Sequence, residues 1–138
     1  MQQLTQEILR LCREYGECRV EAERMEEARR VKNALESVCS MARQRLDISD
    51  PALLLALLDA CEVTRDEGML QEVLDVVGRN LDRLAVSVES VKLLACCYYY
   101  VEEEECAERA RSMLEELRKL GMGEEELADA ETILEELT

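Results

Sequence analysis

The chain repeats one hydrophobic pattern when it is shifted against itself by 36 residues. Two sets of apolar or small residues then superpose, each with the three- and four-residue spacing of a helix. The first set places Leu55, Leu57, Leu58, Ala60 and Cys61 on Val91, Leu93, Leu94, Cys96 and Cys97, and the second places Leu70, Leu74, Val77, Leu81 and Leu84 on Cys106, Ala110, Met113, Leu117 and Leu120. Two helices per repeat are typical of α-solenoids. The sequence therefore predicts an all-α fold of antiparallel helical hairpins, stacked as a short α-solenoid or helical bundle.

Capping residues mark the starts of the predicted helices from residue 49 onward. Ser49 or Asp50 is an N-cap candidate before Pro51, which suits the first helical position because its missing N–H costs nothing there. Asp66 and Ser87 are the N-cap candidates of the next two helices. We therefore expect helices to begin immediately after these residues.

Glycines and a run of acidic residues mark the remaining boundaries. Gly68 is predicted to separate the first two of these helices, and Glu102–Glu105 to form a turn and a new helix start, where carboxylates favour the positive end of the helix dipole. Gly121 is predicted to be a left-handed C-cap, and Gly123 to begin the last connection. Residues 124–137 then form a C-terminal capping helix.

The N-terminal third carries a heptad-like apolar seam. Its members are Leu4, Ile8, Leu11, Tyr15, Cys18, Ala22 and Met25 and, after a three-residue slip, Ala28, Val31, Leu35, Val38 and Ala42. We predict a helix over about residues 2–15, a bend at Gly16 and a longer helix over about residues 18–46. The pattern leaves open a second break near Arg29–Lys32. A homodimer through this seam is one alternative for the assembly of the chain.

The charge of the chain is unevenly distributed. Residues 1–48 contain nine Lys or Arg and nine Asp or Glu, whereas residues 49–138 contain eight against 23 and carry the whole net charge of −15. Such a surface repels phosphates and anionic lipids and attracts basic partners. The longest apolar run, residues 51–58, is far shorter than the roughly 20 residues of a membrane helix. We expect one domain, residues 1–138, that binds neither nucleic acid nor membranes.

Five of the seven cysteines lie on apolar helical faces, so the cysteines are predicted to serve mainly as small core residues of a protein in a reducing compartment, the cytoplasm. Their number is odd, and neither a Cys-x2-Cys pair nor any histidine is present, so no disulfide framework or metal site is indicated. The first residues, "MQQLTQEILRL", lack a signal-peptide pattern because Glu7 and Arg10 interrupt it. Since histidine, a phosphate-binding loop and a dinucleotide motif are all absent, we expect no enzymatic activity and no cofactor.

The segment "VKLLACCYYYVEEEECAERARSMLEELRKLG" resembles a tetratricopeptide helix hairpin, and "LEELRKLGMGEE" is similar to the close of a pentatricopeptide repeat. Leu94 and Ala95 match the large-then-small pair of the tetratricopeptide family, Tyr98 its aromatic position, and Ala107 the small residue that opens its second helix. The resemblance covers about residues 50–121. It implies a concave groove lined by the first helix of each hairpin. The residues that would then face a ligand are Glu89, Lys92, Cys96, Tyr99 and Tyr100.

In the preceding hairpin, the positions that match this set at 36 residues are apolar or small. They are Leu53, Ala56, Ala60, Val63 and Thr64. Residues of this kind are typical of a surface that another helix covers. The sequence therefore predicts an open ligand surface on the second hairpin and a covered one on the first.

These patterns favour a non-enzymatic protein–protein interaction module that binds a basic or amphipathic segment of a partner, as a chaperone or adaptor does. The RNA binding of pentatricopeptide proteins is not expected here, because the acidic part of the chain repels RNA. One alternative is a structural subunit or homodimer assembled through the N-terminal seam. Another is a designed helical protein with no natural function, since Phe, Trp and His are all absent.

Overall fold

A computed structural model describes residues 2–137, and within this range the chain forms seven α-helices and no strand. The helices are α1 (Gln2–Cys18), α2 (Met25–Arg43), α3 (Pro51–Thr64), α4 (Glu67–Arg79), α5 (Val88–Val101), α6 (Glu104–Lys119) and α7 (Glu124–Leu137). Short 3-10 turns, Ala22–Arg24 and Leu81–Arg83, precede α2 and follow α4. The all-α prediction is confirmed, and so is the C-terminal helix.

The helices pack in two layers. In the first layer, α3 packs against α1, α5 against α3, and α7 against α5. The second layer contains α2, α4 and α6, each packed against the helix that precedes it in the chain. Each of α3, α5 and α7 also contacts the second-layer helix before it. Three helical hairpins therefore stack side by side, and α7 covers the end of the third.

One continuous core lies between the layers, built without Phe or Trp from aliphatic, methionine and cysteine side chains. Its largest fully buried members include Ile8, Leu35, Leu57, Leu94, Met113 and Leu127. All seven cysteines are free thiols; six are buried, and Cys96 is half-buried. The prediction that most cysteines are core residues is therefore confirmed, since five of them belong to this core: Cys12, Cys39, Cys61, Cys97 and Cys106. Within residues 2–137, no helix is long and apolar enough to cross a membrane.

The predicted N-caps form the expected hydrogen bonds. Asp50 Oδ1 accepts from the Leu53 backbone N–H at 3.2 Å, Asp66 Oδ1 from that of Met69 at 3.0 Å, and Ser87 Oγ from that of Ser90 at 3.1 Å. Gly121 is left-handed, with φ of 90°, as predicted. The break before α4 lies instead at Arg65, whose φ is 62°, and Gly68 lies inside the first turn of α4. Gly68 is therefore not the residue that separates the two helices.

The N-terminal third differs from its prediction. α1 continues through Gly16 to Cys18, the connection follows at residues 19–24, and α2 runs unbroken through Arg29–Lys32. A glycine inside a helix costs only about 1 kcal/mol relative to alanine, a cost that the burial of Cys18 in the last turn helps to offset. At the end of the connection, Arg24 Nε donates to Glu27 Oε2, in the first turn of α2, at 2.9 Å.

The corresponding ends of α3 and α5 lie 37 residues apart, not 36. The N-caps Asp50 and Ser87 are 37 residues apart, and so are Arg65 and Glu102, the left-handed residues that end α3 and α5. The one-residue error arises because α3 is apolar nearly all round. Its buried residues are Leu53, Leu54, Ala56, Leu57, Leu58, Ala60 and Cys61. A pattern this continuous superposes well on α5 in adjacent registers, so it cannot select one of them.

Candidate partner-binding surface

Four of the five residues expected to face a ligand lie along one face of α5. Glu89, Lys92, Cys96 and Tyr99 follow one another at three- and four-residue steps, and residues so spaced share a helix face. Glu89 and Tyr99 are exposed, while Lys92 and Cys96 are half-buried. Tyr100 is half-buried and packs against the core, so it lies at the edge of this stripe.

Tyr99 and Tyr100 form an aromatic pair at the end of α5. Their ring centroids are 5.2 Å apart, and the ring planes meet at 77°, an edge-to-face contact. Tyr99 is 60% exposed. Burial, with a smaller contribution from the nearby charge of Glu62, raises the pKa of the Tyr100 hydroxyl to about 12. The half-buried ring therefore supports an exposed one that is free to contact a partner. Tyr98, the residue at the aromatic position of the tetratricopeptide resemblance, is half-buried against the core.

The corrected period changes which residues of α3 correspond to those on α5. At 37 residues, the counterparts of the five α5 residues are Ala52, Leu55, Asp59, Glu62 and Val63. All five are exposed or half-buried, whereas Leu53, Ala56 and Ala60 are buried. The expectation that Leu53, Ala56 and Ala60 are covered is therefore confirmed, but these residues are not the counterparts of the α5 stripe, and the residues that are its counterparts lie open. The open stripe of α5 continues onto α3, and we call Leu55, Asp59, Glu62, Cys96, Tyr99 and Tyr100 the α3–α5 surface.

Asp59 is the centre of negative charge on the α3–α5 surface. It is open to solvent, yet the surrounding protein dehydrates its carboxyl enough to raise its pKa, and the charge of Glu62 adds to this effect. Burial raises the pKa of Cys96 on α5 to about 11, and the charges of Asp59 and Glu62 contribute. Burial also raises the pKa of Cys12 on α1 to about 11, again with a contribution from Asp59. The field of Asp59 thus reaches both helices that flank α3.

A cleft of about 330 Å³ lies at one end of the α3–α5 surface, where α1, α3 and α5 end. Tyr99, Tyr100 and Glu62 line it together with Arg19 and Arg65. The Arg19 guanidinium also lies over the ring of Tyr15, 5.8 Å from its centroid. The cleft is therefore amphipathic, with aromatic rings beside charges of both signs.

Sequence reasoning missed the α3 half of this surface and the two arginines of the cleft. Leu55, Asp59 and Glu62 were missed because the period was misplaced by one residue. The N-cap pair Asp50 and Ser87 carried the signal that would have corrected it, since caps fix the register of a helix to a single residue. Arg19 comes from a hairpin outside the repeat, so no pattern in the sequence connects it with α5.

The side chains of the described region offer no metal centre. Among residues 2–137, no group of three or more Cys, Asp, Glu or His side chains could hold a metal ion. The thiols of Cys12, Cys39 and Cys61 are buried and protonated, with pKa values raised to about 11, 12 and 12, chiefly by burial. No protein-family model, curated protein or solved structure matches the chain. The candidate site therefore rests on the geometry of its own residues.

Proposed function

We propose that the chain is a non-enzymatic interaction module, an adaptor or chaperone, whose α3–α5 surface binds a basic, amphipathic segment of a partner protein. The observation that carries this proposal is the exposed Tyr99 ring, held edge-to-face by Tyr100 beside the Glu62 carboxylate. Asp59 adds a second carboxylate on the same surface, near Cys96. Tyrosine is enriched among the residues that dominate interface energies, since it combines a large apolar ring with a polar hydroxyl.

The apolar residues of the surface suit an amphipathic helix. Leu55 of this surface is half-buried, and so is Val63, which follows Glu62 on α3, so both offer apolar area close to the carboxylates in the chain. A partner helix binds such a surface with its apolar side chains on these residues and on Tyr99. Its lysines or arginines then face the two carboxylates.

Charge contributes mainly to the rate and specificity of encounter. Residues 49–138 carry a net charge of −15, which attracts a basic segment over several ångströms before contact. Salt screens this attraction, so the affinity for a basic segment falls as ionic strength rises. The free, buried thiols support a reducing compartment such as the cytoplasm as the place of action.

Assembly through the N-terminal seam has less support as a function. Ile8, Leu11 and Leu35 of the seam are buried within one chain, where α1 packs against α2 and α3. A dimer that used these residues would first have to open the first hairpin. Such opening exposes apolar area that the single chain already buries.

The test measures the affinity of a fluorescently labelled amphipathic peptide, with lysine and leucine at helical spacing, by fluorescence anisotropy at low and high salt. We expect Tyr99→Ala and Glu62→Lys each to weaken binding about tenfold. Glu115→Lys is the matched control, because Glu115 is an exposed residue of α6 in the other layer and the change in charge is the same. Equal losses for Glu62→Lys and Glu115→Lys would show that the peptide responds only to net charge, which would overturn the proposed site.

A further inference from the structure

Contacts with α6 determine which face of α7 stays open. Glu131 of α7 forms an ion pair with Arg118 of α6, and Glu135, one turn further on, lines a cleft of about 310 Å³ between the two helices. The opposite side of α7 is therefore turned away from α6, toward the side of the first layer that the second layer does not cover. Helical spacing places four residues on that side. They are Glu126, Asp129, Ile133 and Glu136, which we call the α7 stripe.

The α7 stripe is in register with the stripe of α5. Three inward-facing residues of each of α3, α5 and α7 recur at steps of 37 residues, and all of them are buried: Leu53, Ala56 and Ala60; Ser90, Leu93 and Cys97; and Leu127, Ala130 and Leu134. A second observation supports the same step. Cys97 lines a cleft beside α4 and α6, and Leu134, 37 residues later, lines the cleft between α6 and α7. The same positions of α3, α5 and α7 therefore face the uncovered side of the first layer.

The α7 stripe extends the α3–α5 surface to the other side of α5. The residues 37 positions before its members are Glu89, Lys92, Cys96 and Tyr99. Ile133 is half-buried, and the other three members are exposed. Glu136 has the position on α7 that Tyr99 has on α5 and Glu62 has on α3. Because α5 packs against both α3 and α7, the exposed Tyr99 ring lies on the helix between two carboxylate-bearing helices.

The carboxylates of the α7 stripe are not neutralised within the described part of the chain. Among residues 2–137, no ion pair is formed by Glu126, Asp129 or Glu136. α7 contains seven acidic residues and no basic one, so no cation of its own faces them. Ile133 packs partly on the core and adds an apolar side chain to the stripe. The stripe thus combines an apolar residue with carboxylates, as Leu55 and Asp59 do on α3.

We propose that α7 is part of the partner-binding surface, so that the partner helix carries lysine or arginine on both edges of its apolar face. This inference rests on the proposed function, in which a basic, amphipathic helix binds the α3–α5 surface. Packed helices lie about 8–10 Å apart, so a helix lying along α5 has the carboxylates of α3 on one side and those of α7 on the other. A helix that is basic on one edge reaches one of these two rows. α7 therefore selects among basic helices by where their charges lie.

The first test compares two neighbouring residues of α7 that face different ways. A fluorescently labelled helical peptide, with a leucine stripe and lysines on both of its edges, is titrated with each protein at moderate salt, and fluorescence anisotropy gives the affinity. We expect Glu136→Lys to weaken binding about tenfold, as Glu62→Lys does. Glu135→Lys is the matched control, because Glu135 is exposed, changes charge equally and faces α6. Its expected effect is less than about twofold, since salt screens charges that lie outside the contact.

The second test changes the peptide instead of the protein. An isomer with the same leucines and the same number of lysines, all on one edge, has the same net charge. We expect the original protein to bind this isomer about tenfold more weakly than the two-edged peptide, because one row of carboxylates is left without a basic partner. Glu136→Lys is expected to remove most of this preference, since it reverses one charge of the α7 row.

The outcomes distinguish this inference from the proposed function. Equal losses for Glu136→Lys and Glu135→Lys, together with a loss for Glu62→Lys, would exclude α7 from the binding surface and leave the proposed function standing. Equal affinities of the original protein for the two peptides would have the same meaning. Absence of binding, or binding that Tyr99→Ala and Glu62→Lys leave unchanged, would overturn both. Far-ultraviolet circular dichroism of each variant checks that these exposed substitutions leave the helices intact.

Discussion

Arg43 of α2 holds Glu72 of α4 in a two-point ion pair that joins the second-layer helices of neighbouring hairpins. Its Nε donates to Glu72 Oε2 at 3.0 Å, and its Nη2 donates to Oε1 of the same carboxylate. Nη1 lies 3.5 Å from Asp66 Oδ2, the other carboxyl oxygen of the N-cap of α4. Because α2 and α4 make few other contacts, this pair is the main polar link between the two helices.

Replacing Arg43 tests this link. We expect Arg43→Met to lower the free energy of unfolding by about 0.5 kcal/mol, a small effect because both side chains are about one-third exposed or more and solvent screens their attraction. The hydrogen bond from Arg43 lowers the pKa of Glu72 below its ordinary value of 4.5. The contribution is therefore complete above pH 4.5 and is lost as the pH falls through the lowered pKa. Urea unfolding of the original protein and of Arg43→Met, from neutral to acid pH, measures this contribution. If the two free energies of unfolding still differ in acid, the effect comes from packing and not from the ion pair.

The start of α6 lacks the capping bond that α3, α4 and α5 have. Glu103 is its N-cap residue and forms no side-chain capping hydrogen bond, whereas Asp66, 37 residues earlier, caps α4. We expect Glu103→Asp to raise the free energy of unfolding by about 0.5–1 kcal/mol, because the shorter side chain can accept from the backbone N–H groups of the first turn. Glu108→Asp, inside α6 and exposed, is the control and is expected to be neutral or slightly destabilising. Thermal unfolding of Glu103→Asp and Glu108→Asp measures the two changes in stability. Equal changes in the two variants would contradict the capping explanation.

Three of the described residues have left-handed backbone conformations, and only one of them is a glycine. Glu102 has φ of 52° and Gly121 has φ of 90°. We expect Glu102→Gly to stabilise the protein by about 0.5–1 kcal/mol, since it relieves the contact of Cβ with the backbone, and Gly121→Ala to destabilise it by about 1 kcal/mol. Gly78→Ala provides the contrast: Gly78 lies within α4, and an added Cβ meets nothing within 4 Å, so a gain in helix propensity is expected. Chemical unfolding of the three variants tests the signs, and destabilisation by Glu102→Gly would refute this account.

The thiols should differ in their reactivity toward alkylating reagents. Cys61, Cys97 and Cys106 are buried, and burial raises the pKa of each, that of Cys61 to about 12. We expect these three to react only after unfolding, because the thiolate is the nucleophile and both protonation and burial suppress it. Cys96, half-buried on the α3–α5 surface, is expected to react first, faster as the pH approaches its pKa of about 11. Peptide mass spectrometry after timed alkylation measures the order. Rapid labelling of Cys61 in the native protein would contradict its place in the core.

The helix boundaries from residue 49 onward could be predicted because their signals are local. A cap such as Asp50 or Ser87 acts on a backbone N–H three residues away, and Gly121 adopts its conformation by virtue of its own missing Cβ. The bend predicted at Gly16, which does not occur, shows that such local signals can be overridden. Gly16 also favours a break, but α1 packs along α2 and α3 and stays helical to Cys18, and such packing depends on neighbours that the local sequence does not show.

Only the α5 half of the candidate surface could be predicted, because only that half follows from local sequence signals. The α5 stripe followed from helical spacing and from the resemblance to tetratricopeptide hairpins, and the structure places Glu89, Lys92, Cys96 and Tyr99 on one face. The α3 half depends on which side of an almost uniformly apolar helix remains open. A shift of one residue rotates that choice by about 100°, and it exchanges the buried Ala60 for the exposed Asp59.

The sequence by itself determined an all-α chain with capped helices from residue 49 onward, because capping and helical periodicity operate over a few residues. It also determined the separation of a neutral N-terminal part from an acidic remainder, because charge is a property of composition. Only the tertiary structure decided that α3 leaves Asp59 and Glu62 open beside α5, and that the first hairpin leaves Met41 exposed. Which side chains stay open depends on how α1, α3 and α5 pack against one another. That packing is set by the burial of apolar area over all the helices together, so it cannot be predicted from the sequence of any one helix.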